Sequence, residues 1–243
     1  MIHQNFRFWI NSRRLISLVV GAFFLTTAIP AYAEYKPRDR KAASGYTRGS
    51  GSRGCSGDGI PLTLLAPKTF IGKTASKRPM LAWYMSNSQN VRFRLFEFTS
   101  DKDIKEIGEL KEIPTIVGIN KLKLPTDYPE LAVGKTYLWQ IAIDCGIGTI
   151  LQRAEFTVIN PNLSHEKNKL TTIPDVNDYA ENEQWYEALE QALKTANNGK
   201  LGRTGAKLVQ ELAQSEMPPL EGTNPKIIKQ RIEYLQQISR DNL

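Results

Sequence analysis

The chain has 243 residues, a formal charge of +7 and a hydrophobic fraction of 41%. Three arginines fall within residues 1–33, so the remainder carries 29 bases against 25 acids. What excess remains is gathered in residues 34–59, which hold six bases and three acids. A nucleic-acid binder concentrates its basic charge on one folded face; a basic tail on a balanced body excludes that class of partner.

Residues 1–33 have the three parts of a cleavable secretory signal. Met1 to Arg14 carries Arg7, Arg13 and Arg14 and no acid, Leu15 to Ala28 is uncharged, and Ala31-Tyr32-Ala33 closes the segment behind Pro30. The uncharged run is 14 residues long, whereas a bilayer span needs about 20. Cleavage between Ala33 and Glu34 is expected, with no stable membrane span afterwards. The mature protein is expected in the periplasm or outside the cell. Arg13-Arg14 leaves the twin-arginine route open beside ordinary secretion. Cys55 and Cys145 are the two cysteines. In an oxidising compartment they allow a single pairing, so a Cys55–Cys145 disulfide is expected.

The mature chain divides at 34–59, 60–160, 161–174 and 175–243. Residues 34–59 are rich in Gly, Ser and Arg, lack an apolar period and read as a flexible tail. Gly49-x-Gly51-x-x-Gly54 has the letters of a dinucleotide loop, but no strand precedes it and no helix follows, so no cofactor is expected. From Ile60 onward, apolar runs alternate with turn residues at 60–66, 79–85, 90–98, 104–110, 119–124, 136–145 and 149–159. Seven short strands without an intervening helix predict a mainly β domain, an antiparallel sandwich.

Tyr137, Trp139, Ile141, Ile143 and Cys145 share one parity and should face the core together. Leu131-x-Val133-Gly134-x-x-Tyr137 resembles the tyrosine corner of immunoglobulin-like and fibronectin-type-III-like sandwiches, where the phenol bonds back to the preceding loop. Trp83 suits a core position on the second strand. Trp139 stands where an antibody domain carries its second cysteine, so the inter-sheet disulfide of those domains is not expected.

Residues 161–174 read as a polar linker. A helical period begins after Pro174-Asp175 with Val176, Tyr179 and Ala180 and continues through Trp185, Ala188, Leu189, Ala192, Leu193 and Ala196. A shorter helix holds Leu208, Val209 and Leu212, and a last one follows Pro225. Tyr179-Ala180…Trp185-Tyr186-x-Ala188-Leu189 resembles the middle of a tetratricopeptide repeat, with Glu183 where a glycine is favoured. One repeat cannot build a solenoid, so a small helical cap is expected over 175–243.

The signal, the Arg53-Gly54-Cys55 end of the tail, Leu62-Thr63-x-Leu65-x-Pro67, Arg78-Pro79-x-x-x-Trp83-Tyr84, Tyr137-x-Trp139 with Cys145, and Tyr179-Ala180…Trp185-Tyr186-x-Ala188-Leu189 occur in this order. The ordered set resembles a family of secreted cyanobacterial proteins classed as a domain of unknown function. The resemblance implies an extracytoplasmic location, supports the cysteine pairing and supplies no activity.

The chemistry available is narrow. His165 is the one histidine of the mature chain and sits in the linker, a poor place to position a catalytic base. Two cysteines and one histidine cannot close a four-ligand zinc site. Asp101-Lys102-Asp103 lacks the glycine and distal glutamate of a calcium loop. Two function classes stay open: a non-catalytic envelope module that binds a protein or polysaccharide, and a carboxylate-dependent hydrolase of envelope polysaccharide or peptidoglycan. The first is favoured, with no catalytic, metal or cofactor residue assigned. An acidic cleft would favour the second.

Overall fold

The computed structural model describes residues 34–47, 59–145, 148–160, 175–216 and 224–243. Two sheets carry the β region. In the smaller, β3 (Met80–Met85) lies between β1 (Thr63–Leu64) and β6 (Gly118–Lys123), antiparallel to both. The larger has the order β2 (Gly72–Thr74), β8 (Gly148–Val158), β7 (Thr136–Cys145), β4 (Asn90–Phe98), β5 (Ile104–Pro114). All its pairings are antiparallel except β2 with β8, which run parallel. The fold is the expected mainly β sandwich with a helical C-terminal region. It departs from full antiparallelism at β2, a strand the hydrophobic pattern does not show. Gly-Lys-Thr has no alternating apolar set, and its place is fixed by the backbone of β8.

Alternation explains the layers. Val91, Phe93 and Leu95 of β4 point inward and are buried, while Arg92 and Arg94 lie between them on the outer face. On β7, Tyr137, Trp139, Ile141 and Ile143 are all buried toward the interior. Their alternates Leu138, Gln140 and Ala142 are buried as well, because β7 is flanked on both sides and its outer face is partly covered. Trp83 is 0% exposed in the middle of the core. The Ala132 amide donates to the Tyr137 hydroxyl at 2.8 Å, and Leu131 is buried beside it.

β5 runs on to Pro114, past the expected 110, and carries a bulge. Phe93 faces Lys111 and Leu95 faces Ile107, so the two strands slip against each other over Gly108–Leu110. Gly108 has φ +70°, and a Cβ there would lie 2.3 Å from the Tyr128 ring. That ring covers the glycine while its hydroxyl donates to the Glu109 carbonyl.

The helices are α1 (Val176–Glu181), α2 (Trp185–Ala192), α3 (Gly202–Ser215) and α4 (Pro225–Asp241). Asp175 and Asp178 form a capping box at the start of α1. The continuous helix read over 176–196 is in fact two, broken where Glu183 takes φ 60°. A glycine favours that left-handed conformation, which is why the repeat pattern prefers one there. Helices and sheets share one hydrophobic core.

The flexible-tail reading of 34–59 needs correction over its described part. Tyr35 is 1% exposed, its ring 4.8 Å from that of Trp185. Ala42 bridges Phe70, and Gly45–Thr47 forms a 3-10 turn on the outer face of β8. Composition gave low hydrophobicity here, but Tyr35 and Ser44 anchor the segment, with backbone bonds from Ala43 to Thr69 and from Ile71 to Lys41 beside them. Among the described residues no helix is long and apolar enough to cross a membrane.

Trp83→Ala should lower stability by about 3–5 kcal/mol, the usual cost of emptying a buried aromatic site. Tyr137→Phe orphans the Ala132 amide and should lose about 1–3 kcal/mol. Urea denaturation of both variants checks the burial and the corner bond together. Gly108→Ala, which meets both the ring and the positive φ, should cost about 1–3 kcal/mol in the same assay.

Candidate functional site

Trp185 and Tyr186 open α2 and enter the sandwich. Trp185 Nε1 donates to the Leu65 carbonyl at 2.9 Å, and Trp139 Nε1 donates to the Tyr186 hydroxyl at 3.3 Å. Phe156 lies 5.1 Å from the Tyr186 ring and 5.7 Å from that of Tyr137. Gly72 of β2 leaves room for the Tyr186 ring, which a Cβ would approach to 3.1 Å. Burial pushes the Tyr35 and Tyr186 hydroxyls well above the ordinary tyrosine range, so both stay neutral hydrogen-bonding groups.

Around this aromatic plug stand glutamates that accept hydrogen bonds from distant backbone. Glu187 of α2 accepts from Thr74 Oγ1 at 2.6 Å and from the Ala75 and Ser76 amides at 2.8 and 2.7 Å. Glu183 accepts from the Arg38 amide at 3.0 Å and from Lys73 Nζ at 2.8 Å. Glu211 of α3 takes the Tyr35 amide at 2.9 Å. Glu216, just past α3 and 3% exposed, takes the Lys68 and Thr69 amides, both at 3.0 Å, and Arg231 Nε of α4 at 2.8 Å. Arg231 Nη2 donates to the Leu64 and Ala66 carbonyls. Burial raises the carboxyls of Glu187 and Glu211 above the usual range, and the bonds they accept only partly offset it. Lys68 places its amine 2.7 Å from Gln152 Oε1; burial, with the Arg231 guanidinium beside it, lowers that amine to about 7.

Two concave surfaces lie on the outer face of the larger sheet. The first, about 380 Å³, lies where residues 41–44 cross it and is lined by Lys41, Ser44, Phe98, Asp101, Lys135 and Glu155 among others. It brings two carboxylates together, but they differ in kind. Glu155 is 1% exposed and receives the Ser44 amide and hydroxyl, and burial raises its carboxyl. Asp101 is exposed in the turn between β4 and β5. Two lysines share the walls, so the cleft is not acidic. The second recess, about 180 Å³, has Arg92, Arg94, Leu110, Gln140, Ala142 and Leu151 around it. Arg92 pairs with Asp144 at 2.6 Å and Arg94 with Glu106 at 3.4 Å.

The residues singled out from sequence fall into two groups. Trp83, Tyr137 and Trp139 are core residues, and Glu34 is exposed at the start of the described chain. Cys145 ends β7 half-buried against the core. Ala33, Cys55, His165 and the Gly49-Gly51-Gly54 letters lie outside the described residues. Among the described residues no group of three His, Cys, Asp or Glu is placed to hold a metal.

Residues 44–217 match the family model described as a Domain of Unknown Function, DUF928. The chain belongs to the DUF928 family. The DUF928 span opens on Ser44, the residue that seals Glu155, and closes just beyond Glu216. It takes in both sheets and α1 to α3; α4 and its Arg231 lie beyond it. No curated protein matches the chain.

Two outcomes follow for stability. Arg231→Met leaves Glu216 as a buried unpaired charge and should cost about 3–5 kcal/mol, whereas a surface partner such as Lys77 should cost less than about 1 kcal/mol. The second concerns pH. The raised carboxyls of Glu155, Glu187 and Glu211 hold protons more tightly in the folded chain than in the unfolded one, where glutamate titrates near 4.3. Their contribution to stability is therefore full below about pH 4.3 and is lost as pH rises through the folded values. Thermal midpoints should climb as the buffer is taken from pH 7 toward pH 5, and Glu187→Gln should flatten the climb.

Proposed function

We propose that this DUF928 protein is an exported, non-catalytic module of a cyanobacterial envelope, which binds a protein or polysaccharide through the outer face of its larger sheet. The observation that carries this reading is the use made of the buried and half-buried acids. Glu155, Glu183, Glu187, Glu211 and Glu216 each hold a backbone amide from another part of the chain. A general acid or nucleophile needs a carboxyl free to reach substrate, and Glu155, the one buried acid in the larger cleft, has both oxygens turned to Ser44. What the outer face does offer is a shallow mixed surface of arginines, lysines and apolar side chains, suited to contact rather than bond breaking.

Export by a signal ending at Ala33 belongs to the same reading, supported by the tripartite pattern of residues 1–33. N-terminal sequencing of protein recovered from the periplasm should begin at Glu34; recovery of intact Met1 in membranes would sink the signal reading. The Cys55–Cys145 disulfide is supported by the count of two cysteines and by the lack of a free thiol among the described residues. Non-reducing peptide mapping should yield the linked pair.

For binding, the mature protein is mixed with purified sacculi and with envelope polysaccharide and sedimented. The expected outcome is co-sedimentation that Arg92→Ser with Arg94→Ser weakens, with no new reducing ends. Release of reducing ends that Asp101→Asn abolishes would establish the hydrolase instead.

A further inference from the structure

Glu187 and Glu211 each leave one buried carboxylate oxygen without a hydrogen-bond partner among the described residues, and Glu211 is the one that holds the amide next to Glu34. Its side chain is 6% exposed, and Oε2 accepts the Tyr35 amide at 2.9 Å. Oε1 is buried without a hydrogen-bond partner among the described residues; the Lys207 ammonium, 44% exposed, stands 3.5 Å away in a long ion pair. A buried carboxylate oxygen served only by a long, half-exposed ion pair is poorly compensated for its lost hydration. Among the described residues no donor stands closer to this oxygen than the Lys207 ammonium.

The backbone offers a second donor. The nitrogen of Glu34 is one residue before that of Tyr35, and successive backbone nitrogens are roughly 3–4 Å apart. It therefore lies within about 7 Å of Glu211 Oε2, and rotation about the Glu34 Cα–C bond moves it without displacing the Tyr35 amide. In an uncut chain this nitrogen is a neutral amide. After hydrolysis of the Ala33–Glu34 bond it is an ammonium with three donors, and water's hydroxyl leaves with the Ala33 carboxyl. Tyr35 is held firmly enough to aim it: its ring packs on Trp185, its amide is on Glu211, and its carbonyl accepts from Ser215 Oγ at 3.2 Å.

We propose that Glu211 is the receptor for the new N-terminus, so that removal of the leader completes the fold by pairing the Glu34 α-ammonium with the Glu211 carboxylate. The inference rests on the proposed cleavage site. The charged groups around the pair are Lys207 on α3, the Glu34 carboxylate itself, and, about Tyr35, Glu183, Glu216 and Arg40. The acids among them favour the ammonium. Burial is the main cause of the raised Glu211 carboxyl, and a second cation at Oε1 offsets it.

The test uses protein made to begin at Glu34, so it does not depend on where the cell cuts. It is compared with the same protein extended by Gly-Ser, each with Glu211 and with Glu211→Gln, which keeps an acceptor for Tyr35. In the authentic form the α-amine, followed by the pH dependence of its acylation, should titrate above the usual range of about 7.7–8.0. Its thermal midpoint should exceed that of the extended form by about 2–4 °C, and Glu211→Gln should erase both effects. An ordinary α-amine titration, or a midpoint difference that survives Glu211→Gln, overturns the pairing. A native N-terminus elsewhere than Glu34 overturns the cleavage site alone.

Discussion

The backbone between Tyr35 and Ser76 is held in place by carboxylates that come from the far end of the chain. Glu183, Glu187, Glu211 and Glu216 all belong to the helical region, and each catches amides of that early segment. Desolvating a carboxylate is expensive, and only several good donors make it tolerable. Hydrogen bonds to a charged acceptor contribute about 1.5–3 kcal/mol each, roughly twice a neutral one. Glu216 spreads three donors over both its oxygens and is well compensated, whereas the three donors of Glu187 all meet Oε1 and leave Oε2 without a partner among the described residues. These contacts make the helices part of the sandwich and leave no independent cap to dissociate.

The aromatic plug and the carboxylates depend on each other. Trp185 and Tyr186 bring large apolar faces into the core, which supplies the driving force for docking α2. That force has no direction of its own. The carboxylates give it one, because Glu183 and Glu187 lie on either side of the aromatic pair and both reach β2 or the residues beside it. Glu183 does so from a left-handed backbone, a conformation that costs a non-glycine residue about 1 kcal/mol. Its bonds to Arg38 and Lys73 make the strain worth keeping.

Much of this was legible in the sequence, and the omissions have a common cause. The long strands announced themselves by alternation, and Trp83, Tyr137 and Trp139 by their parity and spacing. β2 was hidden because three residues carry no period. The role of the glutamates was hidden because a glutamate on a helix reads as a solvated face; only the partner, more than a hundred residues away, distinguishes Glu187 from Glu190. Residues 34–47 were misjudged for the same reason. Their composition is that of a disordered chain, and the contacts that order them, such as Tyr35 with Trp185, Ser44 with Glu155 and Arg38 with Glu183, are all with distant residues. The one local hint was Glu183, standing where a repeat would place glycine; it marked the turn that separates α1 from α2.

The reach of these bonds bears on the order in which the molecule can assemble. The Tyr35 amide meets its partner 176 residues along the chain, and the Leu64 carbonyl meets Arg231 across 167. Closing loops of that length is entropically uphill until many contacts form at once. A ribosome delivers the early strands long before α3 and α4 exist, so the nascent sandwich has nothing to close its open side. Contacts between Tyr35 and α3 and between Leu64 and α4 can form only after the helical region is present, so they are the last to be available to the folding chain.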